Sequence, residues 1–175
     1  MIILALDLAT VTGWALGDVD AEPTFGSVVF GKRSMPDNDV FAMAMRWALQ
    51  RFQCEKAPDV LLLEGLLPPS AMKDETTRAT RDRLAGLHGI MRGAAALFGV
   101  SRIEAIPVGD VREHFISDRH ARRQHAKRDT VAQCRAAGWN VADDNAADAL
   151  ALWSYGVARE RPATAIKRTP LFRTL

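Results

Sequence analysis

The apolar positions along the chain fall into runs whose length and period separate strands from helices. Residues 2–8, IILALDL, are almost continuously apolar, as in a strand covered on both faces of a sheet. Thr12 and Gly13 predict a turn, and TGWALGD continues as a second strand that Gly17 and Asp18 break. Residues 25–30, FGSVVF, read as the third strand of an antiparallel meander. The segment Pro36-Asp37-Asn38-Asp39 offers capping groups for a helix over about 39–56. Within it Val40, Phe41, Ala44, Trp47, Ala48 and Phe52 recur at helical spacing and face a core. VLLLE, 60–64, is another buried strand, and a loop over 65–70 follows it. The pattern then predicts a helix over about 75–98, a strand over 102–107 and helices over about 109–116, 127–137 and 144–159.

A meander followed by alternating strands and helices implies an α/β protein. Its sheet is mixed and five-stranded, antiparallel first and parallel after, with helices on both faces. The expected organisation is one domain over 1–158 and a basic C-terminal tail over 159–175.

Composition narrows the class. With 175 residues, 48% hydrophobic and 25% charged, the chain suits a single packed domain and not a disordered one. No stretch approaches the roughly 18 apolar residues of a membrane span, so no membrane association is expected. MIILALDLA is too short for a signal peptide, lacks a basic start and contains Asp7. The formal net charge of +2 says little about partners. Cys54 and Cys134 are the only cysteines, which fits two free thiols in a reducing cytoplasm.

The chemistry lies in carboxylates placed where carboxylates are costly. Asp7 sits inside the most apolar strand, and burying it unpaired would cost several kcal/mol. Glu64 ends the second apolar strand. Either acid alone reads as a strand-end carboxylate reaching backbone donors or solvent. In DDNAADALALW, 143–153, Asp144 and Asp148 share a helix face at i and i+4. Helix capping accounts for Asp143 and Asp144 but not for Asp148, which precedes an apolar run. Three or four acids on separate buried elements would repel one another unless a divalent cation neutralises them. Oxygen-only ligation favours Mg²⁺ or Mn²⁺ over zinc, and two such ions about 4 Å apart suit phosphodiester hydrolysis. His114, His120, His125 and Cys134 match no usual zinc spacing.

These residues resemble a known family. ILALDLATVTGWA (3–15), DVLLLEG (59–65) and NAADALALW (145–153) are similar, in order and spacing, to the motifs of the RuvC-like Holliday-junction resolvases. These belong to the ribonuclease H-like superfamily, and the likeness is greatest to divergent members from bacteriophages and prophages. The resemblance spans about 1–158. It implies that Asp7, Glu64 and Asp148 are metal ligands. At the position where the family usually has a fourth acid this chain has Asn145, so Asp144 is expected to supply that carboxylate. The resemblance further implies basic residues near the scissile phosphate at Arg112 and Lys127. It implies a homodimer, through small residues of the 75–98 helix: Gly86, Gly89, Gly93, Ala94, Ala95 and Ala96.

The run RHARRQHAKR is the most basic in the chain. Beside an acidic site, Arg119, Arg122, Arg123 and Arg128 are expected to contact DNA phosphates rather than only solvent. Lys73, Arg78, Arg81 and Arg83 crowd the start of the 75–98 helix, as an exposed face or a DNA-facing one. Trp14 is placed to stack on a base or to pack in the core; Trp47 and Trp153 are expected in the core.

The expected function is a Mg²⁺- or Mn²⁺-dependent endonuclease that resolves four-way DNA junctions, with two ions per site. The alternatives are a superfamily nuclease for other branched DNA or RNA–DNA hybrids, and a branched-DNA-binding module without catalysis, the latter motivated by Asn145.

Overall fold

The computed structural model describes residues 1–53, 57–66 and 78–161. Five strands, β1 (Ile2–Asp7), β2 (Val11–Asp18), β3 (Thr24–Val29), β4 (Val60–Glu64) and β5 (Arg102–Ile106), form one sheet in the order β3-β2-β1-β4-β5. β1 pairs antiparallel with β2 and parallel with β4; β2–β3 is antiparallel and β4–β5 parallel. The helices are α1 (Asp37–Phe52), α2 (Arg78–Leu97), α3 (Val108–Ile116), α4 (Arg123–Ala136) and α5 (Asp144–Glu160). The mixed five-stranded α/β architecture is the one expected.

The two-residue period of the strands sorts their side chains between two cores. On one face Leu4, Leu6, Leu61 and Leu63 pack against Val40, Ala44, Ala48 and Phe52 of α1 and Leu87 and Met91 of α2. On the other, Ile3, Ala5 and Leu62 meet Phe115 of α3, Cys134 of α4 and Leu150 and Trp153 of α5. α5 is buried on most sides because it lies between the sheet and the α3–α4 pair, and its alanines allow that closeness. At Gly156 a Cβ would stand 2.5 Å from Leu62 Cδ1.

Three expectations change. Thr12 and Gly13 make no turn: they lie in β2, with Thr12 opposite Val28 and Gly13 opposite Asp7 and Ser27. The chain reverses just before them, where the Thr12 hydroxyl donates to the Ala9 carbonyl at 2.7 Å and accepts from the Ala9 N–H at 3.1 Å. α4 starts at Arg123, four residues earlier than the pattern predicts, because Ala126, Thr130 and Cys134 form a buried stripe that the surrounding charge conceals. α1 starts at Asp37 without a side-chain cap. Its entry is held instead by Arg83 of α2, which donates to the carbonyls of Arg33 and Met35 and pairs with Asp37 at 2.5 Å. Arg83 is therefore an internal tie and not a DNA-facing cation.

Trp153 is buried, as expected, while Trp47 and Trp14 are half-buried against the α1–α2 core. The Arg51 guanidinium lies 4.4 Å from the Trp14 ring centre and 5.2 Å from that of Trp47, so Trp14 is engaged in packing. Cys134 is free and buried, its thiol pushed up to about 12 by burial and then by the charge of Asp148. Cys54, Lys73 and residues 162–175 of the expected tail lie outside the described residues. No described helix is long and apolar enough to cross a membrane.

Candidate active site

Strand register fixes where the first two acids point. Leu6 pairs with Leu63 across the parallel β1–β4 ladder. The following residues, Asp7 and Glu64, therefore share the opposite face, at the carboxyl ends of adjacent strands. Those ends are where open α/β sheets place their sites. That face is the one α5 covers, and the first turns of α5 lie over it.

Gly13 makes that approach possible. A Cβ there would stand 1.9 Å from the Asn145 carbonyl oxygen, so the helix start rests directly on β2 opposite Asp7. Asp143 caps the helix: its Oδ1 accepts from the Ala146 N–H at 2.9 Å and from the Ser27 hydroxyl at 2.7 Å. The sequence gives no signal for Ser27; its role follows from β3 standing next to β2. The cap in turn sets the phase of α5, which directs Asp148 toward Asp7 and Glu64.

The three acids feel each other's charge. The Asp7 carboxyl is raised well above its ordinary value by burial, then by Glu64 and Asp148. Glu64 is raised to about 7 by burial and then by Asp148. Asp148 is raised to about 6, chiefly by burial, with Asp144 adding to it. Asp144 moves the other way: its hydrogen-bonded ion pair with Lys127 lowers it. Its carboxylate lies within the electrostatic reach of Asp7 and Asp148 but is held by the lysine. At Asn145 the contact with the strand is made by the backbone carbonyl.

Three cations oppose the acids. Lys127, Arg112 and Arg123 each act to lower Glu64 and Asp148. Arg112 of α3 spends one N–H on the Ala121 carbonyl at 3.1 Å, tying the α3–α4 connection to the site. An all-oxygen set of mutually repelling carboxylates has the chemistry of a hard divalent-cation site. Among the described residues, no three His, Cys, Asp or Glu side chains are arranged so that they could hold a metal ion. The donors suit such an ion in kind, and would have to rearrange to hold it together.

No protein-family model and no curated protein sequence matches the chain. Solved structures do. RuvC of Thermus thermophilus is 16% identical, with a TM-score of 0.63 over 94% of this chain and 98% of its own. The same protein in complex with a Holliday junction substrate gives a TM-score of 0.68 over the same shares. The yeast mitochondrial Holliday junction resolvase Ydc2 is 11% identical, with a TM-score of 0.58 over 89% of this chain and 77% of its own. The fold is that of RuvC.

On this RuvC fold the remaining basic residues separate by what they bind. Arg119 pairs with Asp110 at 2.5 Å, and its backbone N–H donates to Glu113, which folds it back on α3. Arg128 pairs with its neighbour Asp129 at 2.9 Å. Arg78 is exposed and Arg81 half-buried, beside Asp82 at 3.7 and 3.4 Å. Arg122 and Arg123, exposed at the start of α4, have no protein acceptor among the described residues. Of the histidines in the basic stretch, His114 turns inward, 3.2 Å from the Ser154 hydroxyl. His120 and His125 are exposed.

Proposed function

We propose that this chain is a divalent-metal-dependent endonuclease that resolves four-way DNA junctions by paired hydrolysis of phosphodiesters. The observation that carries the reading is the placement of Asp7 and Glu64 on one face at the ends of β1 and β4, under Asp148. It stands on a fold shared with a RuvC whose structure holds a junction.

Asp7, Glu64 and Asp148 would hold one Mg²⁺ or Mn²⁺. A second would engage Asp7 and Asp144, which requires Asp144 to leave Lys127. Bound there, the metal supplies a more acidic water and charge neutralisation at the phosphate. The water oxygen bonds to phosphorus as the bond to O3′ breaks, leaving a 3′-hydroxyl and a 5′-phosphate. Lys127 and Arg112 offset negative charge near the phosphate. Arg122 and Arg128 with Arg78, Arg81 and Lys73 add phosphate contacts that hold DNA without reading its sequence. Arg119 would join that set by exchanging its pair with Asp110 for a phosphate.

The reading includes a homodimer, since two sites on a two-fold junction give paired nicks. The small residues of α2 divide on this point. Ala94 and Ala95 are buried, and a Cβ on Gly86 would stand 2.3 Å from Phe41 of α1. Gly89 and Gly93 face open space beside exposed Leu97, so the proposed dimer face is theirs.

Cleavage of a synthetic four-way junction tests the function, beside linear duplex, flap and RNA–DNA hybrid, with and without Mg²⁺ or Mn²⁺. Symmetric junction nicks that vanish without metal and in Asp7→Asn support it. Preferred cutting of flap or hybrid keeps the site and replaces the substrate. Junction binding without metal-dependent cleavage of anything leaves a binding module.

A further inference from the structure

Of the three cations that oppose the acids, two are already committed to the protein. Lys127 is bound to Asp144, and Arg112 holds the Ala121 carbonyl. Arg123 stands on α4 one helical turn before Lys127, at i and i+4, so the two share a helix face. The Lys127–Asp144 pair fixes that face toward the start of α5. Arg123 is exposed, and no carboxylate or carbonyl among the described residues accepts from it. Its neighbour Arg122 occupies the N-cap position with extended backbone and lies off that face.

We infer that Arg123 is the residue whose guanidinium meets the scissile phosphate, while Lys127 and Arg112, held by Asp144 and the Ala121 carbonyl, offset charge nearby without that direct contact. This rests on the nuclease reading above and deepens it. The charge argument agrees: Arg123 acts on Glu64, Asp144 and Asp148 alike. A guanidinium presents paired N–H donors that match two non-bridging phosphate oxygens, and those oxygens gain charge as the attacking oxygen bonds. An unpaired arginine can make that contact without breaking one in the protein, whereas Lys127 must first release Asp144. At the first turn of α4 it also stands beside free backbone N–H groups, so a phosphate there finds donors of both kinds.

The test uses the full chain and a labelled four-way junction. Single-turnover cleavage is measured at saturating enzyme, and junction affinity separately without divalent metal. The variants are Arg123→Ala, Arg123→Lys, Arg122→Ala and Lys127→Ala. Removing one donor to developing charge costs on the order of 100-fold in rate. Arg123→Ala is expected to lose about that in the saturated rate, with affinity weakened less than about fivefold. Arg123→Lys should recover part of the rate, since it keeps charge without the paired donors. Arg122→Ala should act mainly on affinity and its salt dependence. An unchanged saturated rate in Arg123→Ala, beside an active wild type, overturns the assignment and leaves the nuclease reading standing. A wild type that cuts neither junction, flap nor hybrid under any metal overturns both.

Discussion

Gly13 and Asn145 are in contact through their backbones: a Cβ on Gly13 would stand 1.9 Å from the Asn145 carbonyl oxygen. Backbone cannot swing aside as a side chain can, so the helix would have to lift from the strand opposite Asp7. Gly13→Ala should therefore destabilise the protein by about 3 kcal/mol, as overpacking against a rigid neighbour does. Urea unfolding measures this directly. A loss under about 0.5 kcal/mol would show that α5 can shift at no cost.

Asp7 illustrates a site held together at the expense of stability. Its carboxyl is raised by burial and by Glu64 and Asp148, so its charge is unwelcome without a cation. Asp7→Asn should abolish metal-dependent cleavage, by about 1,000-fold or more, while raising the melting temperature of the metal-free protein by a few degrees. A variant that loses both activity and stability would mean that the carboxylate is structural.

The same repulsion sets a pH dependence. Glu64 is raised from 4.5 to about 7 and Asp148 from 3.8 to about 6, so between these values the folded chain binds protons that the unfolded chain does not. Stability must then rise as pH falls through that window, opposite to the usual behaviour of paired carboxylates. The metal-free protein is expected to melt several degrees higher at pH 5 than at pH 7.5. Mg²⁺ should narrow the difference by stabilising the pH 7.5 form alone. Melting curves at the two pH values, with EDTA or Mg²⁺, decide it.

Lys127 is paired with Asp144, the carboxylate that the proposed second metal would need. Lys127→Met should free that carboxylate and strengthen Mn²⁺ binding by roughly 3- to 10-fold, within the range of one charge-assisted contact. Cleavage should fall in the same variant. Calorimetric titration separates the two effects. Weaker Mn²⁺ binding would show that the lysine orders Asp144 for the metal instead of withholding it.

The strand cores and the three central acids were legible because each announces itself locally. VLLLE and IILALD are apolar without interruption, and an acid inside such a run has few explanations. The early start of α4 was not legible, since RRQHAK hides Ala126 among charges and only packing against α5 reveals the stripe. Gly13 reads in sequence as a turn residue, because a glycine needed for close approach looks the same there as one needed for reversal. Arg83 and Arg123 look alike in composition. The first ends in three acceptors around α1 and the second in none, a difference that only the fold creates.

Asp7 and Glu64 face α5 because each follows a leucine that faces α1 and α2. The site is thus written in the parity of two short strands. Side chains along β1 can be exchanged for others of similar volume while the acid keeps its direction. Inserting or deleting one residue between Ile2 and Leu6 is different in kind, since it would turn Asp7 into the opposite core and bring a leucine under Asp148. Divergence of this strand is therefore free in spelling before Asp7 and closed in length up to it.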